Sequence, residues 1–125
     1  MMKHKVEFDE AFGLMKVQVI AGITAQEITE IHKRAGKKIL ENKPRFFLCN
    51  LSRARLGSLY PQETRNAIGD AVKGTGYEKV AIVGEQVVLK ALIKIIQKIL
   101  GEKIEAEHFE TEEQALSWFK FGVKF

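Results

Sequence analysis

The chain has 125 residues, 46% of them apolar and 29% charged, with a formal net charge of +4. That length supports one buried core and not two, and the apolar fraction excludes a disordered chain. A single cysteine, Cys49, excludes an intrachain disulfide, and a mildly basic balance with no recognisable reading motif leaves nucleic acid out of the expected partners.

Val6 and Phe8 alternate with polar residues, residues 9–13 make a turn, and Leu14 to Ala21 alternates again, which predicts an N-terminal β-hairpin. Thr24-Ala25-Gln26-Glu27 is a capping box, so a helix starts there, with Ile28, Ile31, Ala35 and Ile39 on one stripe and Pro44 near its end. Phe46 to Leu51 is a continuous apolar run, the pattern of a strand covered on both faces, and it belongs at the sheet centre. Residues 52–60 read as loop. Pro61 suits the first turn of a second helix carrying Ile68, Ala71 and Val72, which Gly74 and Gly76 close.

Residues 79–84 repeat the buried-strand signature around Val80-Ala81-Ile82-Val83, and residues 85–100 follow as a long helix stopped by Gly101. Residues 104–109 form a polar, alternating strand of the kind found at an edge. Thr111-Glu112-Glu113-Gln114 is a second capping box, opening a last helix with Ala115, Leu116, Trp118 and Phe119. The order is β-β-α-β-α-β-α-β-α. It predicts a single α/β domain with a mixed five-stranded sheet and four helices, its last three strands parallel through right-handed crossovers.

No run approaches the roughly eighteen apolar residues of a membrane span, and no apolar stretch follows the basic N-terminus, so a cytoplasmic protein is expected. His4, His32 and His108 have no metal-ligand spacing, which predicts no metal site and no cofactor. Gly74-Thr75-Gly76 precedes a strand, whereas phosphate loops follow one, so these glycines read as a helix stop. Cys49, inside an apolar strand, reads as inert packing rather than as a nucleophile.

Two places remain where binding chemistry gathers. Open α/β sheets take ligands beyond the carboxyl ends of their parallel strands, where Asn50, Ser52, Arg53, Arg55 and Gly84 are candidate ligand-binding residues. The two guanidinium groups beside free helix amides suit a phosphate or carboxylate, although Glu85, at the predicted helix start, competes for the same positive end. The second place is the helix over residues 85–100. Gln86, Lys90, Lys94, Gln97 and Lys98 share about a third of its circumference and the remainder is apolar, more than a helix on a sheet needs to bury. Val88, Leu89, Leu92, Ile93 and Ile96 are therefore candidates for an interface or an apolar-ligand wall. Neighbouring helices, a second copy in a homodimer, an apolar ligand or a peripheral contact with an anionic membrane could cover them.

The element order, the Asn50-Leu51-Ser52 that trails the central strand, the strand and helix from Val80 through Leu100, and the ending from His108 to Phe119 together resemble the STAS domain in its small SpoIIAA-like group. The resemblance implies a noncatalytic regulatory module that binds a protein partner. Anti-sigma factor antagonists of this kind end the central strand in Asp-Leu-Ser and follow it with an Asp-Ser-Ser-Gly loop whose serine a partner kinase phosphorylates. Here Asn50 stands at the first aspartate and the loop reads Arg53-Ala54-Arg55-Leu56-Gly57-Ser58-Leu59-Tyr60. The phosphoserine motif is absent, and Ser58 lacks both the acidic neighbour and the Ser-Gly pair. The same fold group resembles the lipid-carrying CRAL-TRIO domain, which implies the alternative of a carrier for a lipid or other apolar small ligand. A small enzyme acting on an anion near Arg53 and Arg55 is the third and weakest reading.

Overall fold

A computed structural model describes residues 3–59, 61–72, 76–87 and 89–122, without the side chains of residues 37, 38, 56 and 59. Its strands are β1 (Lys5–Asp9), β2 (Leu14–Ala21), β3 (Phe46–Ala54), β4 (Lys79–Val83) and β5 (Glu105–Phe109), joined in one five-stranded sheet in sequence order. The helices are α1 (Ala25–Asn42), α2 (Gln62–Val72), α3 (Leu89–Leu100) and α4 (Glu112–Phe121). The mixed α/β architecture expected from the sequence is the one observed. β1 and β2 form the antiparallel hairpin, and β2 through β5 run parallel, one strand more than expected because β2 itself pairs with β3 in parallel across α1.

Side chains alternate across the sheet and give it two unlike faces. Leu14, Phe46, Leu48, Ala81, Val83 and Phe109 point to one face, where Ala115, Trp118 and Phe119 of α4 cover them. The seal there is aromatic: Phe46 stacks on Phe119 at 4.9 Å between ring centroids, and Phe109 meets Trp118 at 5.3 Å. Met15, Val17, Leu51, Val80, Ile82 and Ala106 point to the other face, under residues of α1, α2 and α3. β3 sits in the middle strand position, so it must satisfy both layers.

Both predicted capping boxes form. Thr24 accepts from the Glu27 amide while the Glu27 carboxylate accepts from the Thr24 amide, and Thr111 and Gln114 repeat the arrangement on α4. Glu27 has a second task. β2 shifts register between Gln18 and Ile20, and the Ile20 amide donates to Nδ1 of His4 at 3.0 Å. That bond requires the proton on Nε2 of His4, which donates to Oε2 of Glu27 at 3.2 Å and ties the bulge to the start of α1.

Three boundaries differ from expectation. β3 does not stop at Leu51 but continues through Ser52 to Ala54, and a 3-10 turn over Leu56–Leu59 replaces part of the expected loop. The extension follows from pairing: Ile20 and Ala21 of β2 stand opposite Arg53 and Ala54. Helix α3 begins at Leu89 rather than at residue 85, because residues 84–86 cross the end of β3 first. Pro61 precedes α2 instead of opening it, its carbonyl accepting the first helical bond from Arg65 at 3.0 Å. Gly74, Thr75 and Tyr60 lie outside the described residues.

Two helical glycines make opposite predictions. A Cβ at Gly69 of α2 would stand 2.6 Å from Cγ2 of Ile99 on α3, whereas a Cβ at Gly36 of α1 meets nothing within 4 Å. Gly36→Ala is expected to stabilise the fold by about 1 kcal/mol through helix propensity alone. Gly69→Ala should destabilise it by about 1–2 kcal/mol, because overpacking outweighs the same propensity gain. Urea unfolding measures both, and in an Ile99→Ala background the loss at Gly69 should disappear.

Candidate functional site

Asn50 is the last β3 residue paired with β4 on the α4 side of the sheet, and it is buried, with 7% of its surface exposed. A polar side chain buried to that degree needs partners for both ends of its amide. Its Nδ2 donates to Oε2 of Glu112 at 2.6 Å, and its Oδ1 accepts from the Ser52 amide at 2.9 Å and the Ser52 hydroxyl at 2.6 Å. Glu112 is the first residue of α4, where helix amides favour a negative charge, and its Oε1 pairs with Nζ of Lys16 on β2 at 2.5 Å. One polar network thus joins β2, β3 and α4. Burial by itself would push the Glu112 carboxyl up, but hydrogen bonds from Lys16 and Asn50 and the Lys16 charge outweigh it and hold the group below the ordinary carboxylate value.

Past Asn50, β3 outruns β4, which ends at Val83. The Gln86 side chain takes over from the missing strand, its Nε2 donating to the carbonyls of Leu51 at 3.0 Å and Ser52 at 3.2 Å. Gly84 permits this crossing. An added Cβ there would lie 2.4 Å from Cδ1 of Leu89 and 2.6 Å from Oε1 of Gln86. The amide of Gly84 donates to the Phe109 carbonyl at 2.9 Å, and its own carbonyl bonds Nε2 of His108 at 2.8 Å.

The hollow that these residues border, about 410 Å³, is lined by Asn50, Ser52 and Gln86 together with the carboxylates of Glu85, Glu110 and Glu112. The predicted ligand-binding residues therefore divide. Asn50, Ser52 and Gly84 come together, but Arg53 and Arg55 do not join them. Arg53 alternates to the opposite side of β3 from Ser52, and Arg55 lies beyond the strand, its amide bonded to the Ala21 carbonyl at 2.8 Å. Both arginines are exposed. An acidic hollow without its two guanidinium groups does not suit the phosphate or carboxylate expected there. Glu85 lies outside α3 and so does not compete for its N-terminal end.

Ser58 is likewise occupied. Its hydroxyl donates to the Arg55 carbonyl at 2.7 Å and accepts from the Ile23 amide at 3.1 Å, pinning the 3-10 turn against the approach to α1.

On the opposite face lies a cavity of about 100 Å³, walled by β2, β3 and β4 on one side and by α1, α2 and α3 on the other. Its lining is apolar except for the polar groups of His32, Tyr77 and Cys49. Burial pushes the Cys49 thiol up to about 12, so it is neutral and not a nucleophile at physiological pH. Left empty, a void of this size costs the fold about 2 kcal/mol. The helix predicted to carry an interface turns inward around it: Leu92 and Ile96 line the cavity, Leu89 and Ile93 are also buried, and Val88 lies outside the described residues. Most of the apolar face of α3 is taken up inside the domain, with Lys90, Lys94 and Lys98 left in solvent and Val87, ahead of the helix, exposed; Leu89, Leu92, Ile93 and Ile96 offer no surface to a second copy.

Lys16, Glu112 and Gln86 were not among the candidate site residues read from the sequence. Glu112 had a signal, a carboxylate straight after a helix cap, but its bond to a residue 62 positions away had none. Among the described residues no group of three His, Cys, Asp or Glu side chains stands together to hold a metal, and no helix is long and apolar enough to cross a membrane.

A family model described as SpoIIAA-like matches residues 14–120. A solved structure of the anti-sigma factor antagonist SpoIIAA in its unphosphorylated form superposes with a TM-score of 0.62 at 8% identity, covering 94% of this chain and 98% of that one. At that identity the likeness is one of fold. No curated protein matches the chain.

The Asn50 network makes a definite prediction. Asn50→Asp would face the Glu112 carboxylate with another carboxylate, so it should lower stability by about 2 kcal/mol at neutral pH. The deficit should shrink on acidification, as the folded pair takes up a shared proton that the unfolded chain binds less readily. Adding Glu112→Gln, whose amide can donate to Asp, should recover most of the loss in urea unfolding at pH 7.

Proposed function

Because the chain belongs to the SpoIIAA-like family, we propose that it is a noncatalytic regulatory module that works by binding a protein partner, without the serine switch of the anti-sigma factor antagonists. The observation that carries this reading is the closed network around Asn50. At the strand end where the resembling antagonists place their switch, this chain holds an amide bonded to Glu112 and Ser52. The serine hydroxyls nearby are both engaged in bonds within the chain. A fixed polar platform suits recognition, since groups already held in place need little ordering on contact. Its rim carboxylates, Glu85 and Glu110, are exposed and give the partner surface a negative character on a chain of net positive charge.

A carrier of an apolar small ligand is the second reading, and the cavity between the sheet and α1–α3 is what favours it. An enzyme acting on an anion at Arg53 and Arg55 has no comparable support.

The partner reading is tested by purifying the tagged chain from its own cells beside the Glu85→Lys, Glu110→Lys variant. One protein should accompany the wild type at constant stoichiometry. Its affinity should fall about tenfold or more with the charges reversed, at an unchanged melting temperature. Recovery of the chain alone after mild crosslinking, or equal binding by both forms, would contradict the reading.

A further inference from the structure

The carrier reading leaves the ligand unspecified, and the cavity narrows it. We propose that the space between the sheet and the seam of α1 and α2 is a binding site for a compact, uncharged, apolar molecule between xenon and benzene in size, and not for a whole lipid tail. This rests on the carrier reading and restricts it.

Size sets the first limit. The cavity volume of about 100 Å³ compares with roughly 150 Å³ for an apolar cavity known to admit benzene or xenon while remaining dry. A small breathing of the helices accommodates a ring, whereas a long acyl chain requires the layers to separate. Chemistry sets the second limit. The lining holds no carboxylate, ammonium or guanidinium group, and its polar side chains are only His32, Tyr77 and Cys49, so a charged head drawn inside would lose most of its water partners without replacement. Water itself gains little there, since it needs two to four polar partners.

The position of Cys49 shows that the space belongs to the core rather than to a surface dent. Burial raises its thiol to about 12, yet it keeps accessible surface in the middle strand of the sheet, because it looks into the cavity. Small side chains stand where larger ones would fill the gap: Cys49 on β3, Ala35 on α1 and Ala71 on α2. Among the helical lining residues, His32 and Ile39 of α1 and Ile68 and Ala71 of α2 are half-buried, which makes the seam between those helices the thinnest wall and the place of entry.

Methyl NMR on the full chain under xenon pressure and in a benzene titration tests the site. Saturable shifts should concentrate on the methyls of Ile31, Ile82, Leu92 and Ile96, and benzene at about ten times its Kd should raise the melting temperature by roughly 5 °C. Cys49→Leu, which fills the space, should abolish the shifts without lowering the melting temperature. Ala71→Leu serves if that variant does not fold. Absence of saturable shifts in the wild type with both probes would overturn the proposal, as would an equal response to decanoate. Carriage is judged separately by native mass spectrometry of protein from its own cells. A chain without bound compound that still takes up benzene defeats carriage and upholds the site.

Discussion

Burial of β3 on both faces is the constraint from which the rest of the molecule follows. A strand in the middle of a parallel sheet can expose neither side, so its residues must be apolar or fully hydrogen-bonded, and a layer of helices must stand on each face. The two layers are unequal. α4 alone covers one face, where its Phe119 stacks on Phe46 and its Trp118 meets Phe109 at a tilt. Three helices share the other face, and with α2 held to α3 by the close approach of Gly69 to Ile99, the space over Cys49 is spanned rather than filled.

The single buried polar residue of β3 decides the character of its end. Asn50 can be buried because Glu112 and Ser52 satisfy its amide, and Glu112 can be half-buried because Lys16 and the start of α4 balance its charge. An aspartate in that position would leave two carboxylates in contact. The departure from the Asp-Leu-Ser pattern and the presence of Glu112 are therefore one arrangement, read on two elements far apart in sequence. It gives this SpoIIAA-like chain a strand end that is tied down, with the acidic residues Glu85 and Glu110 standing free at its edge.

Much of the fold was legible because it depends on local rules. Thr24 and Thr111 announce their helices through residues three positions on, the apolar run of β3 announces double burial, and alternation separates the hairpin from the core strands. What was not legible depends on pairing across the chain. Whether β3 continues past Leu51 is decided by Ile20 and Ala21 of β2, and whether α3 begins at residue 85 or 89 is decided by Gln86 reaching the carbonyls of Leu51 and Ser52. The candidate site divided along the same line. Asn50, Ser52 and Gly84 share a strand end by topology, but a strand longer than expected turned Arg53 and Arg55 away. The apolar excess on α3 was visible in sequence, while its destination inside the domain required the packing of α2.

The central claim is that a fixed hydrogen-bond network replaces the phosphorylation switch at the end of β3, so that the module binds without that control. Phosphosite mapping of intact protein isolated from its own cells tests it most directly. The account predicts unmodified Ser52 and Ser58 under all growth conditions, and a stoichiometric phosphate on either residue would contradict it.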